Sequence, residues 1–192
     1  MDYSALADRA LAAEPLSRDD ALSILRAPDE DVPELVAAAH RLRRRYFADS
    51  VKVNFLVNIK SGICPEDCHY CSQSKLSRAP IDKYPLLSSD EIIAAALRGH
   101  GFGARRLCVV ASGRGPSDAD VAHVAGAVRD VREQLPDVEI CACLGLLEPQ
   151  QAADLHDAGV FAYNHNLNTS ENFYGEICST HDYGDRVRTS PP

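Results

Sequence analysis

Cys64-Pro65-Glu66-Asp67-Cys68-His69-Tyr70-Cys71 puts three thiols within eight positions, spaced C-x3-C-x2-C. Thiolates are soft ligands that suit zinc and iron–sulfur clusters. A structural zinc site wants four ligands, usually from two paired knuckles. Three Cys in one tight loop leave one position open, and on a Cys-ligated [4Fe–4S] cluster that is one iron free to bind something else. Two further readings of the loop stand beside this one: reduced, non-ligating thiols, and zinc with His69 as fourth ligand. Cys108 and Cys141 fall on two separate apolar, β-branched runs. Neighbouring parallel strands lie about 4.8 Å apart, so inward Cys on two of them can share a small cluster. Cys143, two residues after Cys141, lies on the same strand face. For Cys143 and Cys178 the preferred reading is a small buried hydrophobe.

Asn164, Asn166 and Asn168 are spaced i, i+2, i+4. On a continuing strand their amides point one way and His165 the other. Three amides on one face offer donors and acceptors to neutral polar groups; a polar strand end entering a loop is the alternative. His165 reads as a structural histidine before it reads as a ligand. Ser112-Gly113-Arg114-Gly115 follows a strand and precedes a helix, where glycine permits close approach of a ligand or simply makes a βα turn. Gly99-His100-Gly101-Phe102-Gly103-Ala104 formally fits a dinucleotide fingerprint but follows a helix and precedes a strand, the reverse order. It reads as a helix end and turn. Arg106 shares strand parity with Cys108, which puts it near a second cluster or on the surface.

These residues need elements to hold them. Residues 1–50 read as helical: Ala5–Ala13, a second helix from Ser17 through Leu25, and Asp31–Phe47 with Leu35, Val36, Ala39, Leu42 and Tyr46 at helical spacing. From residue 51 strand and helix alternate. Val51–Ile59 is a strand, followed by the Cys loop through Ser74. Ser88-Ser89-Asp90-Glu91 is a capping box opening a helix to about Arg98. Then come a strand at Arg106–Ala111, a helix at Asp118–Leu135 and a strand at Val138–Leu144. A helix at Glu148–Asp157 and a strand at Val160–Asn166 complete the run. Units of this kind predict parallel βαβ architecture.

The 192 residues are 45% hydrophobic and 25% charged, a globular composition. With 20 Lys+Arg against 28 Asp+Glu, the net charge of −8 and the absence of any basic run beyond Arg43-Arg44-Arg45 argue against nucleic-acid binding. No apolar run approaches the roughly 20 residues that span a bilayer. The start has no basic n-region, so it is not read as a signal peptide. Seven Cys with no export signal predict a reduced, cytoplasmic protein that uses thiols for metal or catalysis. The length is short of the about 250 residues of a full (β/α)8 barrel.

C-x3-C-x2-C after a strand, with an aromatic residue before the third Cys, resembles the radical S-adenosylmethionine (SAM) superfamily. Five blocks narrow the resemblance to the biotin synthase family over residues ~50–188. They are Val53-Asn54-Phe55 through Ile63, Cys64–Ser74, Val110–Pro116, Cys141–Gly145, and Tyr163–Ser170. The resemblance implies a TIM-type barrel of which about four βα units lie in residues 51–192, after an N-terminal helical segment at 1–50. It implies that Cys64, Cys68 and Cys71 hold a [4Fe–4S] cluster whose open iron chelates SAM. Tyr70, Ser112, Gly113, Asn166 and Asn168 would then contact SAM, and Asn164 and Asn166 the ureido group of dethiobiotin. Cys108 and Cys141 would be two ligands of a [2Fe–2S] cluster; its third Cys and an Arg are expected past Arg188. The implied activity is sulfur insertion into dethiobiotin through a 5′-deoxyadenosyl radical, in a homodimer reduced by a flavodoxin or ferredoxin. Asn168 stands where one branch of the family has Asp. Two alternatives remain: another radical SAM enzyme of similar barrel, and a truncated, non-catalytic iron–sulfur-binding fragment.

Overall fold

The computed structural model describes residues 1–189, and Ser190–Pro192 lie outside the described residues. The chain forms two compact units that divide after Val51.

The first unit is helical: α1 (Tyr3–Leu11), α2 (Arg18–Leu25) and α3 (Val32–Phe47). Asp2 caps α1 by accepting from the Ala5 amide, and Ser17 and Asp20 form a reciprocal capping box on α2. Tyr3, Ala7 and Ala38 are buried, with Leu35 and Leu42 against them. The apolar stripe expected on α3 is therefore narrower than its sequence suggests. Leu35, Ala38 and Leu42 form one ridge, while Val36, Ala39 and Tyr46 stand in solvent. A single short helix, α1, covers only one ridge of α3.

The second unit contains β1 (Asn54–Lys60), α4 (Ser89–Gly101), β2 (Arg106–Ala111), α5 (Asp118–Gln134), β3 (Glu139–Cys143), α6 (Pro149–Asp157) and β4 (Ala162–Tyr163). The four strands lie in the order β1-β2-β3-β4, all parallel. Strand alternation sorts the residues. Val57, Ile59, Leu107, Val109, Ile140 and Ala142 are buried in one core with α4, α5 and α6. Each fully buried Ile or Val there contributes about 1.5–3 kcal/mol. Leu56, Asn58, Cys108, Val110, Cys141 and Cys143 occupy the opposite face of the sheet.

α4 starts at the capping box expected at Ser88, and α5 starts at a second box that the sequence reading did not name. Ser88 with Glu91 and Ser117 with Asp120 both make the reciprocal pair of bonds. The glycine-rich stretch forms the end of α4, not a nucleotide loop: the helix runs past Arg98 to Gly101, and a Cβ on Gly99 would meet the Phe55 ring at 2.6 Å.

Two boundaries differ from expectation. β1 begins at Asn54, because Val51 and Val53 are exposed and precede the ladder. β4 pairs only at Ala162 and Tyr163, not over Val160–Asn166. The Asn164 amide donates the last bond to the Ala142 carbonyl, at 2.7 Å. The chain then turns away, with Asn168 at φ +70°. Beyond it lie two short helices, α7 (Tyr174–Ile177) and α8 (Tyr183–Thr189).

Candidate metal and cofactor site

The carboxyl ends of parallel strands are where α/β folds bind ligands, and the Cys loop leaves the carboxyl end of β1. The register of β1 on β2 slips between Asn58 and Lys60, a bulge that bends the strand end next to the loop. Cys64, Cys68 and Cys71 all line one cavity of about 330 Å³. Ser112, Gly113 and Arg114, at the carboxyl end of β2, form another wall, and Leu146 follows β3. Tyr70, His181 and Arg186 complete the lining that matters here.

The cavity is built to take a ligand. Ser112 is buried, and its Oγ has no hydrogen-bond partner. A buried hydroxyl without a partner costs about 1–3 kcal/mol, so a polar ligand in the cavity relieves it. The turn carrying Ser112 is fixed by glycines. A Cβ on Gly115 would sit 2.5 Å from the Leu146 carbonyl oxygen, and Gly145, at φ +100°, leaves room only for the Arg114 carbonyl. Burial pushes the Cys64 thiol up and takes Cys68 up to about 12. Both resist ionisation until a metal displaces the proton.

The Cys loop is tied to a segment more than 100 residues away. Asp67 Oδ1 accepts from the amides of Ser179 at 2.9 Å and Thr180 at 3.2 Å. The Thr180 hydroxyl donates to Glu66 at 2.8 Å, and His181 Nδ1 is bonded to Glu66. The His69 amide donates to the Ile177 carbonyl at 2.9 Å. The bonds from Ser179 hold the Asp67 carboxyl far below the usual carboxylate range. Arg114 reaches Glu66 at 3.7 Å and Asp185 at 3.4 Å. Arg186 donates to His181 Nε2 at 2.8 Å and to the Tyr174 hydroxyl at 3.0 Å.

The sequence reading missed Glu66, Asp67, Cys178, His181 and Arg186. Cys178, read as a bland hydrophobe, is buried with its Sγ 3.7 Å from that of Cys68 and 3.3 Å from Asp67 Oδ1. The C-x2-H spacing of Cys178 and His181 was the available signal.

Other expectations are sorted by position. Cys108 and Cys141 are register partners on adjacent strands, on the face away from the helices. Burial raises the Cys141 thiol, and the nearby Cys108 adds to the shift. Cys143 lies opposite Val110 on that face. Arg106 is bound to Glu139 at 2.7 Å and stacks over Phe161 at 5.2 Å; its guanidinium is engaged in an ion pair. Asn164, Asn166 and Asn168 do not share a strand face. They follow the end of β4, are exposed, and do not border the cavity. The strand stops at Tyr163 because its hydroxyl donates to the Gly145 carbonyl at 2.6 Å and accepts from the Leu144 amide at 2.9 Å, pinning the turn. His165 is half-buried beside Arg186, which donates to its Nε2 at 3.4 Å.

Among the described residues, no helix is long and apolar enough to cross a membrane. The family description "Radical SAM superfamily" matches residues 58–190. A curated relative named biotin synthase from Nocardioides sp. is 56% identical over 187 residues, covering 97% of this chain and 50% of the relative. Biotin synthase of Streptomyces coelicolor is 53% identical, covering 96% of this chain and 45% of the relative. The chain thus spans about half the length of the curated relatives it matches. Among solved structures, methylornithine synthase superposes with a TM-score of 0.80 at 22% identity, over 96% of this chain and 54% of that one. HydG, a maturase of the [FeFe]-hydrogenase, gives 0.78 at 16% identity, over 98% of this chain and 43% of that one. The fold is therefore part of a radical SAM, TIM-type barrel.

Proposed function

The chain belongs to the radical SAM superfamily, and on that premise we propose that it is the cluster- and SAM-binding portion of a biotin synthase-like enzyme that inserts sulfur into dethiobiotin. One observation carries the reading. Three loop thiols, an orphaned Ser112 hydroxyl and the Arg186 guanidinium meet in one cavity. The donor set fits a [4Fe–4S] cluster with an open iron, since the loop provides three sulfurs to the cavity. When bound, the cluster and SAM supply a 5′-deoxyadenosyl radical by one-electron cleavage.

The chain's own residues bind and orient. Cys64, Cys68 and Cys71 hold the cluster. Ser112 Oγ and the Gly113 backbone face the SAM methionyl end, where glycine lets the main chain come close. Arg114 and Arg186 both bring a guanidinium to the cavity, the group suited to meeting a carboxylate. Tyr70 flanks the adenosine end. Asn164, Asn166 and Asn168 follow the end of β4 rather than lying on a strand, so their contacts to ribose and the dethiobiotin ureido require that segment to approach the cavity. Cys108 and Cys141 are two ligands for a [2Fe–2S] cluster on the open sheet face, supported by their register across β2 and β3. The electron comes from a flavodoxin- or ferredoxin-type protein, the whole enzyme is a homodimer, and its compartment is the reducing cytoplasm, where thiols stay free.

The test is anaerobic. The chain loaded with iron and sulfide, reduced with dithionite and given SAM, should release 5′-deoxyadenosine and methionine. A Cys71→Ala chain should release neither. Equal release from both, or none from either, overturns the reading. Added dethiobiotin tests the substrate: products that do not rise with it point to another radical SAM reaction.

A further inference from the structure

Two guanidiniums line the cavity, and they are held differently. Arg114 is paired with carboxylates, at 3.7 Å to Glu66 and 3.4 Å to Asp185. Arg186 has no carboxylate at ion-pair distance among the described residues. Its Nε donates to the Tyr174 hydroxyl at 3.0 Å, one terminal nitrogen to His181 Nε2 at 2.8 Å, and the other to His165 Nε2 at 3.4 Å. An imidazole nitrogen accepts only where it carries no proton, so both rings are neutral while they hold the guanidinium. Burial, with Arg186 and His181 beside it, takes His165 down to about 4, which keeps that acceptor open at neutral pH. The guanidinium is thus fixed on three sides by uncharged partners. It keeps further N–H donors and its full charge for whatever occupies the cavity.

His181 is the ring that makes this possible. Its Nε2 accepts from a group that can only donate, so Nδ1 carries the proton, and Nδ1 is bonded to Glu66. Glu66 is buried and also takes the Thr180 hydroxyl at 2.8 Å, so the acid is itself fixed. The Tyr174 ring packs edge-on against His181 at 5.8 Å and limits its rotation. The order is carboxylate, imidazole, guanidinium. Glu66 orients the ring, the ring orients Arg186, and the ring keeps the acid from touching the guanidinium. A carboxylate bound directly to Arg186 would take its fork and cancel its charge. A half-buried cation without a counter-charge favours an incoming anion.

We propose that His181 is a positioning residue: interposed between Glu66 and Arg186, and helped by His165, it aims the guanidinium while leaving its charge uncompensated, so that Arg186 rather than Arg114 is the carboxylate seat of the cavity. Arg114 is spent on bracing Glu66 and Asp185. The identity of the anion, the carboxylate of SAM, rests on the proposed function; the carboxylate–imidazole–guanidinium order does not.

Equilibrium binding to the anaerobically reconstituted chain compares SAM with decarboxylated SAM, which lacks only the carboxylate. Arg186→Gln and His181→Leu should each weaken SAM by about tenfold or more while hardly changing decarboxylated SAM. His181→Gln, which restores a neutral acceptor, should recover most of the loss. His165→Glu, which sets a carboxylate against Arg186, should weaken SAM as Arg186→Gln does. Arg114→Gln should change both ligands by the same factor. A merely structural His181 would move both ligands together and would not be mimicked by His165→Glu. Equal weakening of both ligands in His181→Leu and His165→Glu therefore overturns the proposal, as does selective loss of SAM in Arg114→Gln but not in Arg186→Gln. Circular dichroism checks folding, and if His181→Leu does not fold, His165→Glu decides. Long-range proton–nitrogen NMR of the cluster-free chain tests the arrangement by itself. His181 should carry its proton on Nδ1 at neutral pH, with an Nε2 signal that shifts in Arg186→Gln; a proton on Nε2 overturns the proposal whatever SAM does. A parent chain that shows this tautomer but assembles no cluster, or binds neither ligand, sinks the SAM reading and leaves the positioning of Arg186 standing.

Discussion

Glu66 and Asp67 do more than space the first two cysteines. Asp67 gathers the Ser179 and Thr180 amides, and Glu66 the Thr180 hydroxyl and His181, which fastens the loop to the wall that carries Arg186. Asp67→Asn should lower the melting temperature at neutral pH. The sign follows from the direction of the shift. The folded chain holds this carboxyl below its ordinary value, so its contribution is present above the ordinary Asp range and is lost as pH falls through and below it. The parent and the variant should converge in acid. His165 acts in a different window. Burial, then Arg186 and His181, lower it from 6.5 to about 4. The unfolded chain takes a proton there first, so stability falls as pH drops from about 6.5 toward 4. His165→Gln should flatten melting temperature against pH over that range. The C-x3-C-x2-C spacing was legible because its chemistry is local. The partners of that loop were not, since only the fold brings residues 178–186 to residues 64–71.

At the scale of elements, the caps and the strand cores were readable and the last strand was not. Ser88 announced α4 because a capping box is written within four residues; the box of Ser117 with Asp120 on α5 emerged only in the structure. Ile140, fully buried between β3 and the helices, was readable as core from its apolar run. Ile140→Ala should cost about 2–5 kcal/mol in denaturant unfolding of the second unit. β4 was over-read because Asn164, Asn166 and Asn168 continue a period-two pattern. The Tyr163 hydroxyl and the positive φ of Asn168 end the strand, and neither is visible in alternation. Gly145→Ala should disturb the cavity as well as stability. A Cβ at φ +100° meets the Arg114 carbonyl, on the same turn as Ser112. A loss of about 1–3 kcal/mol is expected, with SAM affinity falling further than a plain stability change explains, as read by titration well below the melting temperature.

For the whole molecule, the parallel order β1-β2-β3-β4 and the match to radical SAM barrels explain why one sheet face carries Cys108, Cys141 and Cys143 while the other is filled by helices. The alternation of units made that class legible, and the arithmetic of length made its extent legible. β4 pairs on one side only among the described residues, and an unpaired strand edge is a template for other chains. These 192 residues expressed alone should therefore self-associate with rising concentration, measured by sedimentation velocity; a monomer at all concentrations would show that the edge is covered. The central claim is that the loop and its cavity hold a cluster and SAM together. Its most direct test is the EPR spectrum of the anaerobically reconstituted, reduced chain, recorded with and without SAM. The account predicts a [4Fe–4S] signal whose shape changes when SAM binds and which is absent in Cys71→Ala. A signal indifferent to SAM, or no cluster signal from the parent chain, would contradict it.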